Sequence, residues 1–181
     1  MERPILFSGP MVRAILEGRK TQTRRAVKTA WIPTIEESAR VNGHPALECL
    51  AGDIVQPYGS IGSRLWVREM WAAPHHYDGH IPREIPEGVG IHYAATEERG
   101  GLLWRPSIHM PRWVSRIALE ITGVRVERLH GISLNDARAE GVDQFSVCSP
   151  IEFKQLWESI NGKKHPWDSN PWVWVIEFTK N

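Results

Sequence analysis

Cysteine is nearly absent from this 181-residue chain: Cys49 and Cys148 stand alone, far too few for a disulfide framework. Long apolar runs are missing too, and none approaches the roughly 18 residues of a membrane span. The opening MERPILFSGP has no apolar stretch behind a positive charge, so a secretory leader is not expected. Excess charge of one sign is also lacking. Lys and Arg number 22 against 21 Asp and Glu, a formal net charge of +1, so no global field steers the chain toward a polyanion, although local patches can. Internal repeats and low-complexity tracts are absent. These absences lead us to expect a cytoplasmic protein with no membrane partner.

Tryptophan is what the chain has in excess: nine, at positions 31, 66, 71, 104, 113, 157, 167, 172 and 174. Most of them are expected in a core, while one or two near a pocket could stack a planar ring. Hydrophobic content of 41% and charged content of 24% are ordinary for one domain of this length.

Ile5 to Phe7, ended by Ser8-Gly9-Pro10, reads as a strand and turn leading into a helix with Met11, Ala14 and Ile15 on one side. Ile35 to Val41 reads as a short helix. Arg64 to Trp71 alternates as a strand, and Ile91 to Ala94 as another. Ser115 to Leu129 carries the clearest alternation, with a hairpin turn or a bulge expected at Gly123. Ser133 caps a short helix ended by Gly141. Pro150 to Ile160 puts Phe153, Leu156, Trp157 and Ile160 on one helical face. Trp172 to Phe178 closes as a strand. Short strands with two or three small helices and no βαβ rhythm predict an α+β domain built on a small mixed β-barrel.

Gly18 to Arg25, GRKTQTRR, packs four cations and two hydroxyls into eight residues behind the first helix. In an extended strand Thr21, Thr23 and Arg25 share a face. Lys20 meets Thr23 only if the chain turns at Gly18, which would set an amine beside a hydroxyl, a base–nucleophile pair. The alternative is a solvated basic helix end that complements the helix dipole.

This segment resembles the G-x-K-x-x-E-x-R signature of the ASCH domain, a branch of the PUA-like β-barrels. Gly18, Lys20 and Arg25 match, and Thr23 stands where many members have glutamate. Threonine there, in a GRKTxTxR segment, is similar to the small bacterial N(4)-acetylcytidine amidohydrolases. Gly62 to Val67, Ile117 to Leu129, Ala137-Arg138-Ala139-Glu140-Gly141, Phe153 to Ile160 and Trp174 to Phe178 resemble successive family elements in the right order. Residues 28–60 and 72–112 stand out as insertions in a single domain spanning 1–181. FSGPMV and WRPSIHMP are similar to segments of long prophage proteins.

The resemblance implies hydrolysis of an amide on the exocyclic N(4) of cytidine or a related modified nucleoside. Lys20, Thr23 and Glu140 would be catalytic, with no cofactor and no metal. Arg25, Glu69, Trp66 and Trp104 are the candidate substrate-binding residues. Arg25 could instead pair with a core carboxylate. Glu69 is expected inward with Arg25 or Lys20 as partner, or at a strand end facing water. Trp104 to Trp113 reads as a lid or pocket wall, or as a surface insertion without a role. His75, His76, His80, His92 and His109 crowd the same region without a matching cysteine or carboxylate spacing, so surface histidines are the default over zinc. A competing function is an RNA- or DNA-binding module, with nuclease activity as a third. Oligomeric state is not fixed by the sequence.

Overall fold

A computed structural model describes residues 2–45, 57–98, 100–142 and 149–181. The chain runs β1 (Glu2–Leu6), α1 (Gly9–Leu16), β2 (Gln22–Ala26), α2 (Ile32–Asn42), β3 (Arg64–Arg68), β4 (Trp71–Ala72), β5 (His92–Tyr93), β6 (Ala118–Arg128), α3 (Leu134–Ala139), α4 (Ser149–Asn161) and β7 (Trp172–Lys180). Five strands form one sheet in the order β1-β3-β6-β7-β2. Only β1 and β3 run parallel; the other neighbours are antiparallel.

β7 is buried on both faces because it separates two cores. Trp174, Ile176 and Phe178 pack with Ile5, Val12, Ile15 and Leu119 on one side. Val173 and Val175 point the other way, against Leu129, Ala137, Phe153 and Trp157. That alternation explains why the closing strand reads as a continuous apolar run. It also places α3 and α4 on the face opposite α1.

Residues 118–128 form one continuous strand, so the irregularity at Gly123 is a bulge rather than a hairpin; the register shifts between Ile121 and Gly123. A Cβ on Gly123 would meet the Glu177 carboxylate at 2.6 Å, so a larger residue there would displace that flexible side chain. The alternation of Arg64 to Trp71 overstates its strand. The chain leaves the sheet after Arg68, where the Glu69 amide turns to the Met110 sulfur at 3.3 Å. Trp71 then pairs with Tyr93 and bridges Arg105 in a separate two-stranded sheet. Around it lies a third core of Trp71, Ala73, Ile85, Met110 and Val114.

The two edge strands of the large sheet, β1 and β2, are linked by a side chain. Arg25 Nη2 donates to the Leu6 carbonyl at 2.6 Å. No helix among the described residues is long and apolar enough to cross a membrane. Cys49 and Cys148 lie outside the described residues.

Candidate active site

The site begins with a turn at Gly18, where φ is +74°. This left-handed residue ends α1 and lets the amides of Arg19 and Lys20 both return to the Ala14 carbonyl, at 2.8 and 3.0 Å. The reversal buries Lys20 rather than leaving it on a solvated helix end; the residue is 2% exposed. The Thr21 amide then bonds the Ala139 carbonyl at 2.9 Å, tying the start of β2 to the end of α3.

α3 supplies the partner. Ser133 caps it reciprocally with Asp136, and the helix stops at Glu140 and Gly141. Gly141 has φ +88°, and a Cβ there would meet Ala14 at 2.9 Å and Lys20 at 3.0 Å. The absent side chain is what allows α3 to approach Lys20 this closely.

Lys20 Nζ donates three hydrogen bonds of 2.8 Å each, to the Gln22 carbonyl, the Glu140 carbonyl and Glu140 Oε2. An ammonium has three N–H donors, so all are used. Burial pushes the amine below its ordinary range. Glu140 opposes that by charge and hydrogen bond, and Arg25 and Arg24 add repulsion that lowers it further. The resting pair is therefore an ion pair whose ammonium is unusually acidic.

Beyond Glu140 the charges continue. Arg24 Nη1 reaches Glu140 Oε1 at 3.3 Å, while its Nη2 meets Glu127 at 2.5 Å and Asp136 at 3.5 Å. Arg125 binds Glu127 at 3.1 Å, Asp136 at 2.8 Å, and Glu177. The network fixes the Glu140 carboxylate from both oxygens.

Burial pushes the Asp136 carboxyl up, but hydrogen bonds from the Ser133 side chain and amide, with the Arg24 charge, outweigh it. The result is a pKa of about 2 against an ordinary 3.8. A depressed carboxyl stabilises the fold above its unfolded pKa and loses that contribution as pH falls through the folded one. Ser133→Ala is thus expected to cost about 1 kcal/mol at neutral pH through the lost cap. It should also move the onset of acid unfolding to higher pH in the window between about 4 and 2. Circular dichroism against pH checks both.

Thr23, Arg24, Arg25 and Glu140 line one wall of a cleft. The opposite wall is apolar: Met11, Phe153, Leu156, Trp157 and Ile160, with Asn161 at the end of α4. Thr23 is buried and lies on β2 opposite Ile176. Lys20 sits behind this wall, joined to it through Glu140; its three described hydrogen bonds do not include the Thr23 hydroxyl. The cavity volume is about 30 Å³, room for a water or two rather than a pyrimidine.

The other candidates lie elsewhere. Glu69 is buried, but its partner is Arg116, bidentate at 3.0 and 3.0 Å, instead of Arg25 or Lys20. The Arg116 guanidinium also lies 4.0 Å from the centroid of Tyr93, so Glu69 anchors the small sheet. Trp66 is buried beneath Arg68 and Arg112, at 4.7 and 5.9 Å. Trp104 is half-buried with its indole nitrogen unpartnered. None of the three, and no other described residue of 72–112, lines the cleft. His75 faces Asp78 and His92 faces Glu97, while His76 and His80 flank Tyr77. Among the described residues no group of three or more His, Cys, Asp or Glu is placed to hold a metal ion.

Sequence reasoning missed Glu127, Asp136 and Arg125, whose only local signal was the S-x-x-D cap. It found Phe153, Leu156, Trp157 and Ile160 as one helical face but gave that face no part in a site. Ile160, 52% exposed, is the residue of that face that betrays a rim.

The architecture is an α+β fold of mixed strands and few helices, and its likeness is to a solved ASCH domain. No protein-family model matches the chain, and no curated protein matches it. Among solved structures it is similar to an ASCH domain from Lactobacillus crispatus JV V101. That match has 10% identity and a TM-score of 0.51, covering 99% of this chain and 79% of that one. A protein from Enterococcus faecalis V583, of family DUF984, is aligned with 11% identity and a TM-score of 0.47, over 99% of this chain and 81% of that one.

Proposed function

We propose that the chain is an amidohydrolase that removes an acyl group from the exocyclic N(4) of cytidine or a related modified nucleoside. The observation that carries this reading is that Glu140, the buried partner of Lys20, shares the cleft lining with Thr23. A buried lysine–glutamate pair at 2.8 Å stands directly behind a cleft lined by Thr23 and Glu140.

With all three N–H groups of Lys20 donating, the amine has no lone pair until it passes one proton to Glu140 Oε2. Its burial makes that transfer accessible. The neutral amine then takes the Thr23 hydroxyl proton, and the threonine oxygen bonds to the acyl carbon. The carbon–nitrogen bond breaks, and Glu140 returns its proton to the leaving exocyclic nitrogen. Water next attacks the threonine ester, giving the free acid and restoring Thr23.

The nucleic-acid reading loses support from the same geometry. Lys20 and Arg24 are buried on carboxylates and Arg19 is paired with Glu17, so these cations of the basic segment are not free to neutralise phosphates. The test is release of cytidine from N(4)-acetylcytidine, with Thr23→Ala as control. Turnover that vanishes in the variant supports the reading, and none in the wild type overturns it.

The cleft must widen to admit a base, and Ile160 stands at its rim. Ile160→Ala is expected to lower KM by about 3- to 10-fold with kcat little changed, because the truncation removes bulk without touching Thr23 or Glu140. Steady-state kinetics measure the split.

A further inference from the structure

Among the described residues Arg25 is the one cation lining the cleft without a carboxylate. Among the described residues Lys20 is matched by Glu140. Arg24 is matched by Glu127, Asp136 and Glu140. Arg25 donates from Nη2 to the Leu6 carbonyl, at 2.6 Å. Its guanidinium carbon lies 5.4 Å from the Phe7 ring centroid, and its Nε is buried with no acceptor. The Leu6 bond strapping the two sheet edges employs one of five N–H donors in the guanidinium fork. A strap alone does not account for a permanent charge beside Thr23. A partly buried charge with no counterion is costly to keep, and the fork geometry matches a planar or tetrahedral anion.

We propose that the ligand of this cleft carries an anionic oxygen group, a carboxylate or a phosphate, which Arg25 holds. The ligand's body lies against Met11 and Leu156. The inference rests on the cleft being the substrate site, and it names the substrate as anionic rather than as a neutral nucleoside. Thr23 and Arg25 are two residues apart on an extended strand, roughly 7 Å between their Cα atoms. A carboxylate on a short acyl chain spans that distance from the attacked carbonyl; a phosphate on the ribose stands on the far side of the base.

Two measurements test this. In the Thr23→Ala background, dissociation constants are determined for N(4)-acetylcytidine, its 5′-monophosphate and N(4)-succinylcytidine. One of the two anionic ligands is expected to bind at least about 10-fold tighter than the neutral one. Which one identifies the source of the anion. The gain should disappear in Arg25→Gln and be partly retained in Arg25→Lys, which keeps the charge but not the fork. Equal binding of all three, or a gain that survives Arg25→Gln, overturns the proposal. The second measurement does not depend on the nucleoside. The Arg25 Nε–H resonance, assigned by its loss in Arg25→Gln, is followed in the full chain during titration with succinate and with inorganic phosphate. A saturable shift with either is expected even if N(4)-acylcytidines are not substrates. No shift with either overturns the anion site, whatever the turnover assay gives.

Discussion

Replacing Glu140 with alanine is expected to lower the unfolding free energy by about 3–5 kcal/mol, the range for a buried ion pair that loses one partner. The loss is large because two cations depend on that carboxylate. Lys20 would keep only two carbonyl acceptors, Gln22 and residue 140. Arg24 would retain Glu127 and Asp136. Both side chains are fully enclosed, but the ammonium bears the greater cost, since Arg24 keeps two partly exposed carboxylates and Lys20 keeps none. The double change Lys20→Met with Glu140→Gln should therefore recover at least half of the loss. It removes the stranded charge, and the glutamine oxygen can still accept from Arg24. Denaturant titration of the wild type and both variants measures this. A double variant as unstable as Glu140→Ala would mean that the pair's worth lies in packing and not in charge. Neither variant should hydrolyse an amide, so recovered stability with absent turnover separates the two roles of the pair.

The helix ends that bound this site, at Gly18 and Gly141, could be read from local backbone rules, whereas the place of Glu140 in it came from the family resemblance. A glycine behind an amphipathic helix signals a left-handed end, and Gly18 and Gly141 both adopt one. Which side Lys20 takes was open in the sequence, since the answer depends on whether α3 docks against α1. That docking is a long-range event, visible only as the contact of Gly141 with Ala14 and Lys20. The same limit explains Glu69. Alternation left it either inward or at a strand end facing water; it is buried, but its partner Arg116 lies 47 residues away, and no local pattern selects among distant arginines. Arg64 to Trp71 misled for a different reason. Its hydrophobic alternation continues through a departure from the sheet made by the Glu69 amide and Met110, and periodicity does not register a change of partner. The fold class emerged from the number and brevity of the strands. The parallel pairing of β1 with β3, which needs the intervening α1 and β2, did not.

Trp71→Ala should be nearly as damaging to stability as Glu140→Ala, at about 3–5 kcal/mol for a large aromatic removed from a packed interior. Its consequence for activity should be the opposite. Trp71 is fully buried at the centre of the third core, against Ala73, Ile85, Met110 and Val114. Its backbone exchanges two hydrogen bonds with Arg105, at 3.3 and 2.7 Å, and the Arg105 guanidinium lies 5.6 Å from its ring centroid. Removing the indole takes away the surface on which residues 72–112 assemble. The described walls of the cleft come from α1, β2, the end of α3 and α4, with nothing from that segment. We therefore expect amide protection to collapse first at Tyr93, Arg105 and Met110, while β6 and β7 exchange as slowly as before relative to global unfolding. Turnover per folded molecule should stay within about twofold of wild type, since no group that contacts the reacting atoms has moved. A fall in kcat comparable to that of Thr23→Ala, in protein shown to be folded, would mean that residues 72–112 do close over the substrate. The segment would then be part of the active site despite its separate core.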